Sequence, residues 1–161
     1  MTTITEKVFI KNEPMFFIGD FVTTTNQIEM SEKALIPKQW EKFYSNQLAN
    51  QIQSKKNATI LALYTNYETD ENGSYSFAIG AEVSNIEQIP DGMKSYSIEP
   101  NQYIVFTTRK GPVQEVVVEA WQHIWEWSKT NKRAFTTDFE LYDERSIDPN
   151  NSQVDIYISI K

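Results

Sequence analysis

The chain has 161 residues, the usual size of one domain, and its sequence contains no cysteine, which excludes disulfide scaffolds, cysteine-bound metal sites and thiol nucleophiles. The 15 basic and 22 acidic residues give a formal net charge of -7, the wrong sign for a protein that binds nucleic-acid phosphates. No apolar run approaches the roughly 18 residues of a membrane span, and residues 1–7 lack a signal-peptide core. We therefore expect a cytoplasmic protein without membrane or direct DNA contact.

The first half of the chain shows the periodicities of strand, helix, strand and strand. Apolar residues recur at three- and four-residue steps from Ile36 to Ile52, which is typical of a helix, and Pro37 suits its first turn. Asn72 and Gly73 favour a hairpin turn between the two strands that follow. In chain order the predicted elements are one long strand or a bent pair of strands (8–25), a helix (28–52), two strands (58–67 and 74–84) and a connector (85–99).

The second half repeats this order after the connector. Apolar residues from Val113 to Trp127 fall on one stripe at helical spacing, and Gly111 and Pro112 mark the start of this second helix. The predicted elements are a strand (101–108), a helix (from 113 to near 129–133) and two strands (134–143 and 153–160) joined by a loop (144–152). The repeat predicts one α+β domain, 1–161, built from two fused units at about 6–86 and 94–161.

The sequence is rich in aromatic residues and poor in glycine. Aromatic residues make up 13% of the chain, whereas only 5 residues are glycine. Few glycines argue against phosphate-binding loops, and no Walker A, G-x-G-x-x-G, G-x-S-x-G or H-E-x-x-H motif occurs, so no cofactor or metal is expected. The aromatic surplus has two interpretations, a well-filled core or an aromatic-lined pocket.

Glu140 differs from the acidic residues that flank turns, because it lies inside the predicted strand 134–143. A period of two places its side chain on one face of the sheet with Asp138 and Tyr142, and places Phe139 on the other face. A solvent-facing carboxylate is the simplest interpretation of such a position.

The internal repeat argues that the scaffold itself does not need this anion. Phe139-x-x-Tyr142 in the second unit is similar to Tyr64-x-x-Tyr67 in the first. When the two are aligned, the neutral residue Thr65 is the counterpart of Glu140. The alternative to a solvent-facing Glu140 carboxylate is therefore a carboxylate that has a functional role.

Four segments together resemble the GyrI-like effector-binding family, which includes the effector-binding domains of AraC-type transcription activators and integron-cassette proteins that bind cationic drugs. The segments are 103–112 (YIVFTTRKGP), 120–127 (AWQHIWEW), 138–143 (DFELYD) and 154–160 (VDIYISI). The resemblance implies two units related by a pseudo-twofold axis, with antiparallel sheets and two long helices that form a central cleft. It also implies that a strand glutamate balances the positive charge of the ligand, and Glu140 matches that position.

A lipophilic cation would pair with Glu140 and stack on aromatic faces. Core packing is the alternative for every aromatic candidate; we favour it for Trp121, near the centre of the helical stripe, but not for Trp125, at its edge. The candidates to line the cleft are Trp40 and Tyr44 on the first helix, Trp121 and Trp125 on the second, and Tyr64 and Tyr142 on the hairpins.

Three functions are compatible with the sequence. The first is a stand-alone effector-binding domain for hydrophobic, cationic small molecules, in transcription regulation or drug response; many family members carry a DNA-binding headpiece, but strand structure that begins by Val8 leaves no room for one here. The second is a hydrolase of strained cyclopropane compounds, with Glu140 as general base and Tyr142 or another pocket tyrosine as acid. The third is an inhibitor such as that of gyrase, whose acidic surface meets a basic protein partner.

Overall fold

The computed structural model describes residues 4–70 and 72–161; residues 1–3 and Glu71, which falls in the predicted hairpin turn, are outside the described residues. The strands are β1 (Thr5–Lys11), β2 (Met15–Thr25), β3 (Ile60–Thr65), β4 (Ser74–Val83), β5 (Lys94–Ile98), β6 (Asn101–Thr107), β7 (Thr137–Tyr142) and β8 (Asp155–Ser159). The helices are α1 (Asn26–Glu29), α2 (Ile36–Ser45), α3 (Leu48–Gln51) and α4 (Val113–Ser128), followed by a short 3-10 turn, Glu144–Ser146. The predicted α+β class is confirmed.

The eight strands form one antiparallel sheet in the order β1-β6-β8-β7-β3-β4-β2-β5. This order is symmetric about the pair of β7 with β3, where Leu63 lies opposite Phe139. The edge strands are exchanged between the halves, since β1 pairs with β6 and β5 pairs with β2. The symmetric order is the one that two related units produce when they join edge to edge.

The predicted helix 28–52 is wrong in its bounds, because the structure divides it into α1, α2 and α3. Pro37 has no backbone N–H to donate one turn back, so α2 begins at Ile36 instead of continuing α1. Gln47 has a φ of 50°, a left-handed conformation that separates α2 from α3. Among the described helices only α4, with 16 residues, is long, so the expected pair of long helices is one long helix and one broken one.

Of the two alternatives for residues 8–25, the structure has the pair of strands, β1 and β2, which lie in opposite halves of the sheet on either side of Pro14. One strand prediction is corrected. The predicted connector 85–99 contains β5, which pairs with β2 although its sequence is largely polar. Pairing with a neighbour, rather than an intrinsic pattern, makes it a strand. The other predicted strands and the second helix are confirmed to within a few residues.

The buried side chains of residues 4–70 and 72–161 form three clusters. One lies between the sheet and the broken helix around Phe43 and Phe77, and another lies between the sheet and α4 around Phe106 and Ile124. The third contains strand residues of the opposite face, among them Phe139. Both helical layers therefore cover the same face of the sheet, and the β3–β7 pair runs between them.

Candidate ligand-binding site

Glu140 lies on the helix-covered face of β7 at the boundary between the two halves of the fold. Its neighbours across the strands are Ala62 on β3 and Ile156 on β8, which belong to the two different helix-covered clusters. The residue is 2% exposed, so the solvent-facing interpretation of its carboxylate is wrong. The sheet register thus places a carboxylate in the interior at the junction of the two halves.

The alignment of Glu140 with Thr65 is not supported by the register. Thr65 lies opposite Thr137 and therefore points to the other face of the sheet. A twofold axis perpendicular to the sheet keeps each side chain on its own face, so the counterpart of Glu140 on β3 lies on the face that carries Ala62 and Tyr64. The counterpart residue remains uncharged.

Three neutral donors satisfy the Glu140 carboxylate. Trp121 Nε1 and the Tyr64 hydroxyl donate to Oε2 at 2.7 Å and 2.8 Å, and the Tyr142 hydroxyl donates to Oε1 at 2.5 Å. Among the described residues no lysine, arginine or histidine forms an ion pair with this carboxylate. Burial raises the pKa of Glu140, and the three hydrogen bonds oppose that rise.

The phenols around Glu140 remain donors over the physiological pH range. Burial, together with the nearby Glu140 charge, raises the pKa of both Tyr64 and Tyr142 well above its ordinary value. The α4 stripe brings Trp121 to the same carboxylate from the helical layer. Side chains from β3, β7 and α4 therefore converge on one anion.

Asp138, two residues earlier on the same face of β7, has a different environment. Arg133 Nη2 contacts Asp138 Oδ2 at 2.8 Å, and the Tyr67 hydroxyl donates to the same oxygen at 2.6 Å. The backbone N–H and hydroxyl of Ser159 donate to Oδ1. The Arg133 guanidinium also lies 4.3 Å from the ring centre of Phe135. This carboxylate is neutralised within the protein.

A cavity of about 550 Å³ opens beside these two carboxylates. Three of the predicted aromatic residues, Tyr64, Trp121 and Trp125, line it, whereas Glu140 lies beneath the first two. The other lining residues are Asn26, Glu29, Met30, Ile36, Tyr67, Asn72, Tyr75, Val118, Ser128, Lys129 and Arg133. The volume is in the range of small-molecule sites, and aromatic rings supply much of the wall.

The remaining predicted aromatic residues pack against one another outside this cavity wall. Trp40 packs edge-on against Tyr142 with ring centres 5.0 Å apart, and Tyr44 stacks on Trp40 at 5.9 Å. Trp40, Tyr44 and Tyr142 are not among the lining residues. They connect to the cavity through Glu140, because Tyr142 donates to its carboxylate.

Sequence reasoning missed two aromatic residues of the cavity wall, Tyr67 and Tyr75. Tyr75 alternates with Phe77 on the inner face of β4, a signal that the strand period could have revealed. Tyr67 lies beyond the end of β3, after Asn66, whose φ of 53° turns the chain. No strand period extends through such a turn, so only the tertiary structure assigns Tyr67 to the wall.

The segment that precedes α2 forms another part of the wall and is held by Glu29. The Glu29 carboxylate accepts hydrogen bonds from the backbone N–H groups of Leu35 and Ile36, both at 2.9 Å, and from the Thr24 hydroxyl. These N–H groups begin α2, so Glu29 caps that helix from outside it. The cavity wall is thus fixed to the end of β2 and the start of α2.

The cationic side chains of the cavity wall are already engaged by anions. Arg133 contacts Asp138, and Lys129 contacts Glu126 at 2.8 Å on the surface. Among the described residues no group of three or more His, Cys, Asp or Glu side chains is placed to hold a metal ion. None of the helices that these residues form is both long and apolar enough to cross a bilayer.

Comparisons with known proteins agree with this architecture. A Bacillus subtilis (strain 168) protein named "Putative transcriptional regulator protein YobU" is 38% identical over 146 residues, 90% of this chain and 91% of the relative. The integron cassette protein VCH_CASS2 from the mobile metagenome of Vibrio cholerae superposes with a TM-score of 0.80 at 28% identity, over 97% of this chain and 95% of that one. SAV2435 bound to tetraphenylphosphonium shares the fold with a TM-score of 0.80 at 19% identity, over 98% and 94% of the chains. Because the family model Cass2, integron-associated effector binding protein, matches residues 10–160, this chain belongs to that family of effector-binding proteins.

Proposed function

We propose that this effector-binding domain binds a hydrophobic cation in the cavity lined by Tyr64, Trp121 and Trp125, and that Glu140 supplies the opposing charge. The observation that carries the proposal is a carboxylate that is 2% exposed and that, among the described residues, receives hydrogen bonds from neutral donors alone. A buried anion without a cationic partner is costly, and a bound cation compensates part of that cost.

The cation would act through the aromatic wall rather than by direct contact with Glu140. Tyr64 and Trp121 donate to the carboxylate, so their rings become more electron-rich and attract a cation on their faces more strongly. At a separation of about 8 Å and an effective dielectric constant of about 20, the attraction between the two charges is about 2 kcal/mol. This attraction corresponds to roughly a thirtyfold difference in Kd.

Binding fits the geometry better than turnover. The hydrolase alternative needs a carboxylate oxygen in contact with the substrate, whereas Glu140 lies beneath the wall and its oxygens are occupied by Tyr64, Trp121 and Tyr142. The inhibitor alternative rests on net charge, which does not involve this cavity. We therefore retain the binding function, and we extend to this chain the role in transcription regulation for which its Bacillus subtilis relative is named.

The test compares two probes of nearly equal shape and opposite charge. Tetraphenylphosphonium, the ligand in the SAV2435 structure, should bind the full chain, and tetraphenylborate should bind at least tenfold more weakly, as measured by calorimetry. Glu140→Gln preserves side-chain size and should weaken tetraphenylphosphonium binding by roughly thirtyfold. Glu87→Gln removes the same formal charge from an exposed position and is the matched control.

Two outcomes would contradict the proposal. Equal affinity for the two probes would show that the cavity selects shape without charge. An unchanged tetraphenylphosphonium Kd in a folded Glu140→Gln protein would show that another group provides the charge. Circular dichroism of the variant separates loss of binding from loss of structure.

A further inference from the structure

The edge strand β1 exposes apolar side chains on both of its faces. Val8 and Ile10 are 60% and 61% exposed on one face, and Phe9 is 40% exposed on the other. The opposite edge of the sheet, β5, has the sequence Lys-Ser-Tyr-Ser-Ile, and its apolar end, Ile98, is buried. β1 and β5 occupy equivalent places at the two edges of the symmetric sheet. The exposed apolar side chains are therefore a feature of β1 itself and not of edge strands in this fold.

The backbone of β1 is available for pairing on its outer side. The strand has seven residues without proline, and no strand of residues 4–70 or 72–161 lies beyond it in the sheet. Edge strands of this length are usually protected by charge, bulges or covering segments. Here Lys7 and Lys11 provide charge, but three consecutive apolar residues lie between them.

We infer that β1 is a self-association edge, at which a second copy of this chain pairs antiparallel to β1 about a twofold axis through Val8. The occupant is a second copy because the sequence of β1 is complementary to itself in one register. This inference does not depend on the ligand that fills the cavity.

The lysines select that register. A twofold axis perpendicular to the sheet keeps side chains on their own face, so only registers that pair residues of the same face are allowed. Centring the axis on Lys7 places Lys7 opposite Lys7 of the second copy, and centring it on Phe9 places Lys7 opposite Lys11 of the second copy. Like charges directly opposite one another are unfavourable. Centring it on Val8 pairs all seven residues of β1 without opposing like charges.

The Val8-centred register also buries the exposed apolar groups. The two Val8 side chains meet at the axis, and on the same face Ile10 of each copy lies opposite Glu6 of the other, beside its side-chain methylene groups. On the other face, Lys7 of one copy lies beside Phe9 of the second copy, a position suited to a cation–π contact. Seven residues on each side bury less surface than the roughly 1,200 Å² of a stable interface, so a weak, concentration-dependent dimer is expected.

The first experiment measures mass by sedimentation velocity over a range from micromolar to near-millimolar chain. The wild-type protein should shift from monomer to dimer within this range. Val8→Lys places two lysines opposite each other at the axis and should remain monomeric, whereas Ser97→Lys, on the opposite edge strand β5, should still dimerise. A wild-type chain that is monomeric throughout, or a Ser97→Lys chain that loses the dimer equally, would overturn the inference.

The second experiment uses the absence of cysteine to test the register. Val8→Cys places two thiols directly opposite each other, within the Cα separation that a disulfide requires, so oxidation should give a covalent dimer. Ile10→Cys has the same exposure on the same face, but its counterpart in the second copy lies four residues along the strand, roughly 13 Å away. Equal cross-linking of the two variants on a non-reducing gel would indicate random collision and would overturn the proposed register.

Discussion

Two buried carboxylates on one face of β7 have opposite electrostatic arrangements. Asp138 is paired with Arg133 and receives further hydrogen bonds from Tyr67 and Ser159, whereas Glu140 receives hydrogen bonds from uncharged donors. The Asp138 charge is cancelled inside the protein and holds the end of the sheet together. The Glu140 charge is stabilised but not cancelled, so its field extends into the neighbouring cavity. Burial alone therefore does not distinguish a structural carboxylate from a candidate binding one.

The largest expected effect on stability comes from breaking the ion pair between Asp138 and Arg133. Asp138→Asn leaves the guanidinium of Arg133 buried without this carboxylate, and such a loss costs about 3–5 kcal/mol of unfolding free energy. Urea denaturation followed by tryptophan fluorescence measures the change. Glu126→Gln removes one partner of the exposed Glu126–Lys129 pair and should cost less than about 1 kcal/mol. Similar losses in the two variants would contradict the structural role of Asp138.

A smaller effect is expected when the Glu140 carboxylate loses one neutral donor. Trp121→Phe removes the indole N–H that donates at 2.7 Å, and hydrogen bonds to charged groups contribute about 1.5–3 kcal/mol. The loss of unfolding free energy should be larger at neutral pH than at acid pH, where Glu140 is protonated. Trp125→Phe, which has no hydrogen bond to Glu140, is the control. A loss that does not depend on pH would indicate packing alone.

Glu140→Gln should remove a pH dependence of the unfolding free energy. In the wild-type protein this dependence has a slope of at most about 1.4 kcal/mol per pH unit. Because burial raises the pKa of Glu140 in the folded state, the unfolded chain releases this proton first as pH increases. The wild-type protein should therefore lose stability through the interval between the ordinary glutamate pKa and the raised one, and the variant should not. Chemical denaturation at a series of pH values tests this, and parallel pH profiles would contradict the raised pKa.

The smallest effect is expected from Tyr44→Ala. Tyr44 is 60% exposed, stacks on Trp40 and lies outside the cavity wall, so tetraphenylphosphonium affinity should change less than about twofold. Trp125→Ala, which removes a ring from the wall, is the comparison and should weaken binding by about 0.5–2 kcal/mol. If Tyr44→Ala weakens binding as much as Trp125→Ala does, the binding site lies closer to α2 than we propose.

Local periodicity predicted much of the second half of the fold. The apolar residues of α4 keep helical spacing over the whole helix, so its bounds were predicted closely. The alternation along β7 placed Asp138 and Tyr142 on the same face as Glu140, and the strand register confirms this. The first helix was predicted as too long because side-chain spacing does not report backbone conformation. Pro37 and the left-handed Gln47 divide it without disturbing the apolar spacing.

The sequence by itself determined the α+β class and the strand position of Glu140, because both depend on the spacing of residues a few positions apart, and the motifs of four segments determined the family. Only the tertiary structure decided that β1 and β5 exchange halves, that Arg133 neutralises Asp138 and not Glu140, and that Tyr67 and Tyr75 rather than Trp40 and Tyr44 line the cavity. These features depend on contacts between distant segments. Strand order and side-chain pairing across the sheet have no periodic signature in the chain.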